Sequence, residues 1–144
     1  FERQGARVAR TPWQRDAWRD LVTTERPTHL LLLLGTTQAR GRRAAADGRR
    51  EDYETIDHDL TALAIDAAVA SDAAPGLVYL SAIGARLATR SAYLRVRGRI
   101  EARLATCGLA WCAVRPAFIT GDDRAESRPV ERVTAAPSPI AIAR

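Results

Sequence analysis

A run of five leucines constrains the fold of this chain more than any other feature. Residues 29–35 read His-Leu-Leu-Leu-Leu-Leu-Gly, and no polar residue alternates with the leucines as it would in a strand with one solvated face. The run is too short to cross a bilayer, which takes roughly 20 apolar residues. The sequence therefore predicts a strand buried on both faces, as in a parallel sheet, and ended by Gly35, Thr36 and Thr37.

Shorter apolar runs and helical patterns alternate along the rest of the chain. Further strands are predicted at residues 6–9, 77–80 and 109–114. Helices are predicted from residue 12 to about 26, from 52 to 70 with Ile56, Leu60, Leu63 and Ala67 facing inward, and from Ser91 as N-cap to about 106, before Gly108. Right-handed crossovers would make the strands parallel, so we expect an α/β fold with helices flanking the sheet.

Two segments carry no predicted element. Residues 38–50 hold five arginines, two glycines and no large apolar residue, which predicts a mobile surface loop. After Gly121 the sequence is polar and interrupted by prolines. We therefore expect one domain at residues 1–128 and an irregular tail at 129–144.

The composition restricts the possible partners and location. All 22 basic residues behind the net charge of +5 are arginines, which indicates compositional bias rather than a surface selected for a polyanion. No apolar stretch predicts a membrane span or an export signal, so we expect no membrane partner and a cytoplasmic location. Cys107 and Cys112 are expected to be reduced, and His29 and His58 to be structural, so no metal site is predicted.

Ligands of parallel sheets bind beyond the carboxyl ends of the strands. The residues predicted at these ends are Arg10, Gly35, Thr36, Thr37, Ser81, Pro116, Ala117 and Phe118. The helix after Ser81 adds Tyr93 and Arg97, which share the face of Ile100 and Leu104 at 100° per residue. Because buried polar groups need partners, Tyr93 and Arg97 form a candidate functional pair.

Several segments resemble one known superfamily. LVYLSAIGA, YLRVRGRIEARL and GLAWCAVRPAFITG are similar to the second half of the short-chain dehydrogenases/reductases, specifically their atypical NmrA-like branch, which binds NAD(P)H. LLLLLGTT and ETIDHDLTALAIDAA match the same branch in the same order. The resemblance covers about residues 5–128 and implies a Rossmann-like parallel sheet that binds NADP or NAD.

The resemblance also implies roles for individual residues. In the superfamily a serine follows one strand and Tyr-x-x-x-Lys lies on the next helix, and Ser81, Tyr93 and Arg97 stand at these positions. Ser81 would hold a substrate carbonyl and Tyr93 would transfer its proton. A phenol with a free pKa of about 10 needs a nearby cation for this at neutral pH, and Arg97 keeps the charge of the lysine but cannot release a proton.

Cofactor contacts follow from the same comparison. Gly35, Thr36 and Thr37 would line the cofactor with Tyr93 and Arg97, and Pro116, Ala117 and Phe118 would lie beside the nicotinamide. Arg10 matches the position of an arginine that accepts the adenosine 2′-phosphate, which favours NADP over NAD. A strand-ending turn, a strand stop and a solvated arginine are the respective structural alternatives.

One part of the family pattern has no counterpart in the sequence. No segment matches G-x-x-G-x-x-G, and the opening FERQGARVARTP resembles the end of the family's first helix and its second strand. We therefore expect the first strand and the phosphate-binding turn to be missing and cofactor binding to be weak. Either the sheet closes over the gap or another chain fills it, which makes a homo-oligomer possible.

These observations support three functions in descending order. The first is an NAD(P)-dependent oxidoreductase that acts on a small carbonyl or alcohol. The second is a non-catalytic module that senses NADP or binds another protein. The last is nucleic-acid binding through the arginines of residues 38–50, which would weaken steeply with salt.

Overall fold

Three parallel strands and one antiparallel strand form the sheet. The computed structural model describes residues 2–116 and 141–143. The strands are β1 (His29–Leu32), β2 (Gly76–Leu80), β3 (Trp111–Arg115) and β4 (Ala141–Ala143). They lie in the order β1-β2-β3-β4, and only β4 runs antiparallel to its neighbour. The predicted α/β class is confirmed.

Helices connect the parallel strands. The α-helices are α1 (Arg15–Glu25), α2 (Gln38–Ala46), α3 (Leu60–Ala70) and α4 (Ala92–Thr106). A 3₁₀ turn spans Glu2–Gln4, and a π-helix at Tyr53–Asp59 leads directly into α3. None of the described helices is long and apolar enough to span a membrane.

The core lies between the sheet and two helices, α3 and α4. Leu32, Leu77 and Tyr79 supply the sheet side, and α3 and α4 supply the rest. The helical members of this cluster are Ala64, Ile65, Ala68, Ile100 and Leu104. Alanines on α3 allow that helix to approach the sheet closely, since they add little bulk between the two layers.

The prediction that β1 is buried on both faces is wrong. Leu32 is 3% exposed, whereas Leu31 and Leu33 are 58% and 59% exposed. Successive side chains of a strand point to opposite faces, so only one face of β1 meets the core. In the described residues β1 has a neighbouring strand on one side only, and composition alone does not distinguish an edge strand from a central one.

Two further predictions about single segments are wrong. Residues 6–9 are exposed and belong to no strand, and residues 38–46 form α2 instead of a loop. Thr37 caps α2, because its hydroxyl accepts a hydrogen bond from the Arg40 N–H. Alanine and arginine are strong helix formers, and this preference with the cap outweighs the lack of large apolar residues.

The predicted helix at 52–70 exists, but its inner face is different. Asp52 caps the π-helix, and a π turn is wider than an α turn, so the faces that follow are rotated. The buried positions are Asp57, Thr61, Ala64, Ile65, Ala67 and Ala68. Of the four residues predicted to face inward only Ala67 is fully buried, while Ile56, Leu60 and Leu63 are partly buried.

The second half of the described chain agrees with its predicted elements. Strand β2 and helix α4 lie where the sequence places them, and the Ser91 hydroxyl accepts from the Leu94 N–H at 3.3 Å. Gly108 follows α4 with a φ of 82°, the left-handed conformation that glycine adopts freely. Strand β4 was not predicted, since residues 129–144 were expected to be irregular.

Candidate functional site

Helix α4 places Arg97 in the interior, as its position on the apolar face predicts. The side chain of Arg97 is 5% exposed. Its Nη1 donates to the carbonyl oxygens of Leu80 at 2.8 Å and Leu34 at 3.3 Å, and to the Tyr79 hydroxyl at 3.1 Å. The guanidinium therefore joins the carboxyl ends of β1 and β2, where the sequence predicts a binding site.

Asp57 is the acidic partner of Arg97, and the sequence analysis did not identify it. Arg97 Nη2 lies 2.6 Å from Asp57 Oδ1, and the Asp57 side chain is fully buried. Asp57 Oδ2 accepts from the Thr36 N–H at 2.9 Å. A buried arginine on a predicted inner face requires such an acid, so Arg97 itself was the clue to look for one.

The ring of Tyr93 lies beside the same guanidinium. Arg97 Cζ is 5.1 Å from the centroid of the Tyr93 ring and 5.5 Å from that of Tyr79, within the range of cation–π attraction. Tyr53, the first residue of the π-helix, packs against Tyr93 with 5.4 Å between ring centroids. Tyr93 is partly buried, so the predicted Tyr93 and Arg97 pair is brought together.

Burial and charge both act on the ionisable groups of this cluster. Burial raises the pKa of Tyr79 to about 12 against the opposing charge of Arg97, which keeps that phenol neutral. Burial also raises the pKa of Asp57, and the attraction of Arg97 and the Thr36 N–H offsets this only in part. Burial disfavours the charge of Arg97, but Tyr79, Tyr93 and Asp57 outweigh it and raise its pKa. Arg97 is thus a permanent buried cation.

Ser81 belongs to a different hydrogen-bond network. Its hydroxyl is buried and donates to Glu101 Oε1 at 2.6 Å. The same carboxylate accepts from Arg115, whose Nε lies 2.9 Å from Oε1. The Ser81 backbone N–H extends the sheet by donating to the Val114 carbonyl. The structure therefore directs the Ser81 hydroxyl to Glu101, a residue that the sequence analysis did not single out.

The turn of Gly35, Thr36 and Thr37 follows β1 and touches the Arg97 cluster. A Cβ on Gly35 would lie 2.9 Å from Arg97 Nη2, so a side chain there would displace the guanidinium. Thr36 Oγ1 is buried and has no hydrogen-bond partner among the described residues. A cavity of about 290 Å³ opens beside the turn and is lined mainly by Thr36, Thr37, Gly41, Arg42, Ala45 and Tyr53.

The remaining predicted cofactor residues are not gathered at this cluster. Arg10 is exposed in the segment before α1. Pro116 ends β3, and its carbonyl accepts from the Ile83 N–H at 3.1 Å. Ala117 and Phe118 lie outside the described residues.

His58 has acidic neighbours that the sequence analysis did not recognise. Potential metal-ligand atoms of Glu54, His58 and Asp59 lie within 4.8 Å of one another. Two of these groups already have partners: both Glu54 oxygens accept from Arg99 at 2.8 Å, and His58 Nδ1 lies 2.8 Å from Asp59 Oδ1. We therefore interpret the group as a surface ion-pair network. Cys107 and Cys112 are free, partly buried thiols.

Comparison with known proteins gives one distant match. No protein-family model matches this chain, and no solved structure matches it. The chain is 36% identical over 110 residues to "Protein fmp52, mitochondrial" of Emericella nidulans. The match covers 74% of this chain and 43% of that protein, so the chain spans less than half the length of this relative. The relative's name gives a location and no activity, and the cofactor, activity and cytoplasmic location of this chain stay predictions.

Proposed function

We propose that this chain is a Rossmann-like NAD(P)-binding domain of the atypical short-chain dehydrogenase/reductase type. The observation that carries the proposal is the Tyr93 ring 5.1 Å from the Arg97 guanidinium, at the carboxyl ends of two parallel strands. A phenol beside a permanent cation is the arrangement that proton transfer to a carbonyl needs. NADP is the favoured cofactor, and a small carbonyl or alcohol is the substrate.

The residues of the Gly35 turn fit part of such a cofactor. Gly35 leaves no side chain over the Arg97 cluster, and the buried Thr36 hydroxyl, unpaired within the described part of the chain, suits a ribose hydroxyl or a carboxamide. When bound, the nicotinamide ring supplies or accepts the hydride. Gly35, Thr36 and Thr37 would hold that half of the molecule.

In this proposal Tyr93 moves the proton and Arg97 acts through its charge. Both terminal nitrogens of Arg97 already donate to Asp57, Tyr79 and backbone carbonyls, which keeps the cation fixed while Tyr93 gains or loses its proton. Electrostatic support of this kind needs no further hydrogen bond from Arg97. Ser81 can orient a carbonyl only when its hydroxyl leaves Glu101.

The hydrogen bond of Ser81 favours a second function, a non-catalytic module that senses NADP or binds another protein. A serine hydroxyl donating to a buried carboxylate at 2.6 Å is stabilised away from a substrate. Such a module would keep the cofactor site and have no turnover.

Titration with NADPH by calorimetry tests cofactor binding, which both functions share. Thr36→Val removes the buried hydroxyl at nearly constant volume, and we expect it to weaken NADPH binding about five-fold to ten-fold. Thr24→Val, on the exposed side of α1, is the matched control and should leave the affinity unchanged. Equal affinities for wild type and Thr36→Val, or no binding by either, would exclude this cofactor site.

NADPH consumption with a panel of aldehydes and ketones separates the two functions. If the chain is an enzyme, Tyr93→Phe should keep NADPH binding and reduce turnover by about 10²-fold or more. NADPH binding by the wild type without consumption of any carbonyl would support the non-catalytic module. Unchanged turnover in Tyr93→Phe would show that another group supplies the proton.

A further inference from the structure

A second and larger cleft lies away from the Tyr93 and Arg97 cluster. Its volume is about 660 Å³, inside the range of roughly 300–1,000 Å³ that small-molecule sites occupy. It lies between the segment before α1, the second half of α1 and the start of β1. The side chains that determine its character are Val8, Trp18, Leu21, Val22, Pro27 and Leu30. None of the lining residues belongs to the proposed cofactor site.

The charges at this cleft cancel. Arg7 and Glu25 are the charged residues among those that line it, and they form an ion pair with each other. A charged ligand would have to break this pair or enter an apolar space without a counter-charge. The cleft therefore fits an uncharged molecule.

Trp18 adds one directional requirement. Its indole Nε1 is buried and has no hydrogen-bond partner among the residues that the structure describes. An indole N–H is a donor only, and a buried donor without an acceptor carries a desolvation penalty. A ligand that brings an acceptor oxygen to this N–H would remove the penalty.

We propose that this cleft binds a small, uncharged, largely apolar molecule that presents a carbonyl oxygen to the Trp18 indole N–H. The apolar walls bury the hydrocarbon part, and the single donor fixes its orientation. This is the usual division of labour in ligand pockets, where many apolar groups surround a few polar ones. The site is independent of the proposed cofactor and of Tyr93.

Two probes of nearly equal shape test the inference. Acetophenone carries a ketone oxygen where isopropylbenzene carries a methyl group, so the ratio of their affinities reports the acceptor. Both are titrated in the absence of NADPH against ¹⁵N-labelled protein, with the tryptophan indole resonances observed by NMR. We expect acetophenone to shift the Trp18 indole resonance and both probes to bind.

The neighbouring Trp13 provides the matched control. Trp13 stacks on Trp18 with 4.5 Å between ring centroids, and it is not among the residues that line the cleft. Trp18→Phe should reduce the preference for acetophenone over isopropylbenzene about five-fold, because only the N–H is lost. Trp13→Phe should leave that preference unchanged.

Three results would overturn the inference. They are an undisturbed Trp18 indole resonance, a preference that survives Trp18→Phe, and an equal loss of preference in Trp13→Phe. If Trp18→Phe does not fold, the wild-type indole shift decides by itself. Failure of the proposed cofactor site would leave these readouts unchanged, since they use neither NADPH nor Tyr93.

Discussion

Asp57 and Arg97 form the central interaction at the scale of single residues. The buried guanidinium has one carboxylate partner in the described part of the chain, and that carboxylate also holds the Thr36 N–H. Removing one member of such a pair leaves an uncompensated charge in the interior. The pair thus determines both local stability and the position of the turn after β1.

Asp57→Asn should therefore lower the free energy of unfolding by about 3 kcal/mol or more. The matched control is Glu54→Gln, because Glu54 also joins the π-helix to α4, through Arg99, but its side chain is 48% exposed. We expect the control to cost less than about 1 kcal/mol. Denaturant titration measures both, and similar losses for the two variants would contradict the role given to Asp57.

Gly98 permits close packing of α4. A Cβ at this position would lie 2.5 Å from the backbone carbonyl carbon of Arg86, and backbone cannot move aside as a side chain can. Gly98→Ala should destabilise the protein by about 1–3 kcal/mol, although alanine is the better helix former. Ala102→Gly, at an exposed position of α4, measures the ordinary propensity difference. A stabilised Gly98→Ala variant would show that the segment around Arg86 is free to move.

At the scale of elements, the capping residues were visible in the sequence and the π turn was not. Ser91 precedes an apolar helical pattern with suitable spacing, and its cap involves residues only three apart. The π-helix at Tyr53–Asp59 is stabilised by packing on α4 and by the burial of Asp57. These contacts join residues about 40 positions apart, so no local pattern encodes them.

The cap of the π-helix predicts a dependence of stability on pH. Asp52 accepts hydrogen bonds from Arg50 and from the Thr55 N–H, which lower its pKa from 3.8 to about 2. A lowered pKa in the folded state gives stability that is present above the unfolded pKa and is lost as the pH falls through about 2. Asparagine can accept the same cap hydrogen bond but carries no charge.

Asp52→Asn should therefore lower the unfolding midpoint slightly at about pH 5 and have no effect at about pH 2. The side chain is 47% exposed, so we expect a difference below about 1 kcal/mol at the higher pH. Asp72→Asn removes an exposed carboxylate that caps no helix and serves as the control. Thermal melts across this pH range measure the effect, and a difference that persists at pH 2 would contradict it.

At the scale of the whole molecule, the order of the strands determines where the fold is most stable. Strand β2 has a hydrogen-bonded neighbour on each side, whereas β1 has one neighbour within the described residues. We expect the amides of β2 to exchange most slowly with solvent and half of those in β1 to exchange rapidly. Hydrogen exchange followed by NMR measures this. Uniform protection of β1 would indicate that a further strand pairs with its open edge.

The sequence by itself determined the alternation of strands and helices, the cap and stop of α4, and the inner face that carries Arg97. Each of these follows from residues at most a few positions apart, through side-chain periodicity and local hydrogen bonds. Only the tertiary structure decided that β1 has one exposed face, that Asp57 neutralises Arg97, and that the Ser81 hydroxyl turns to Glu101. The physical reason is that a buried charge is stabilised by whichever partner the packing brings within hydrogen-bond distance, and the spacing of residues along the chain does not specify that partner.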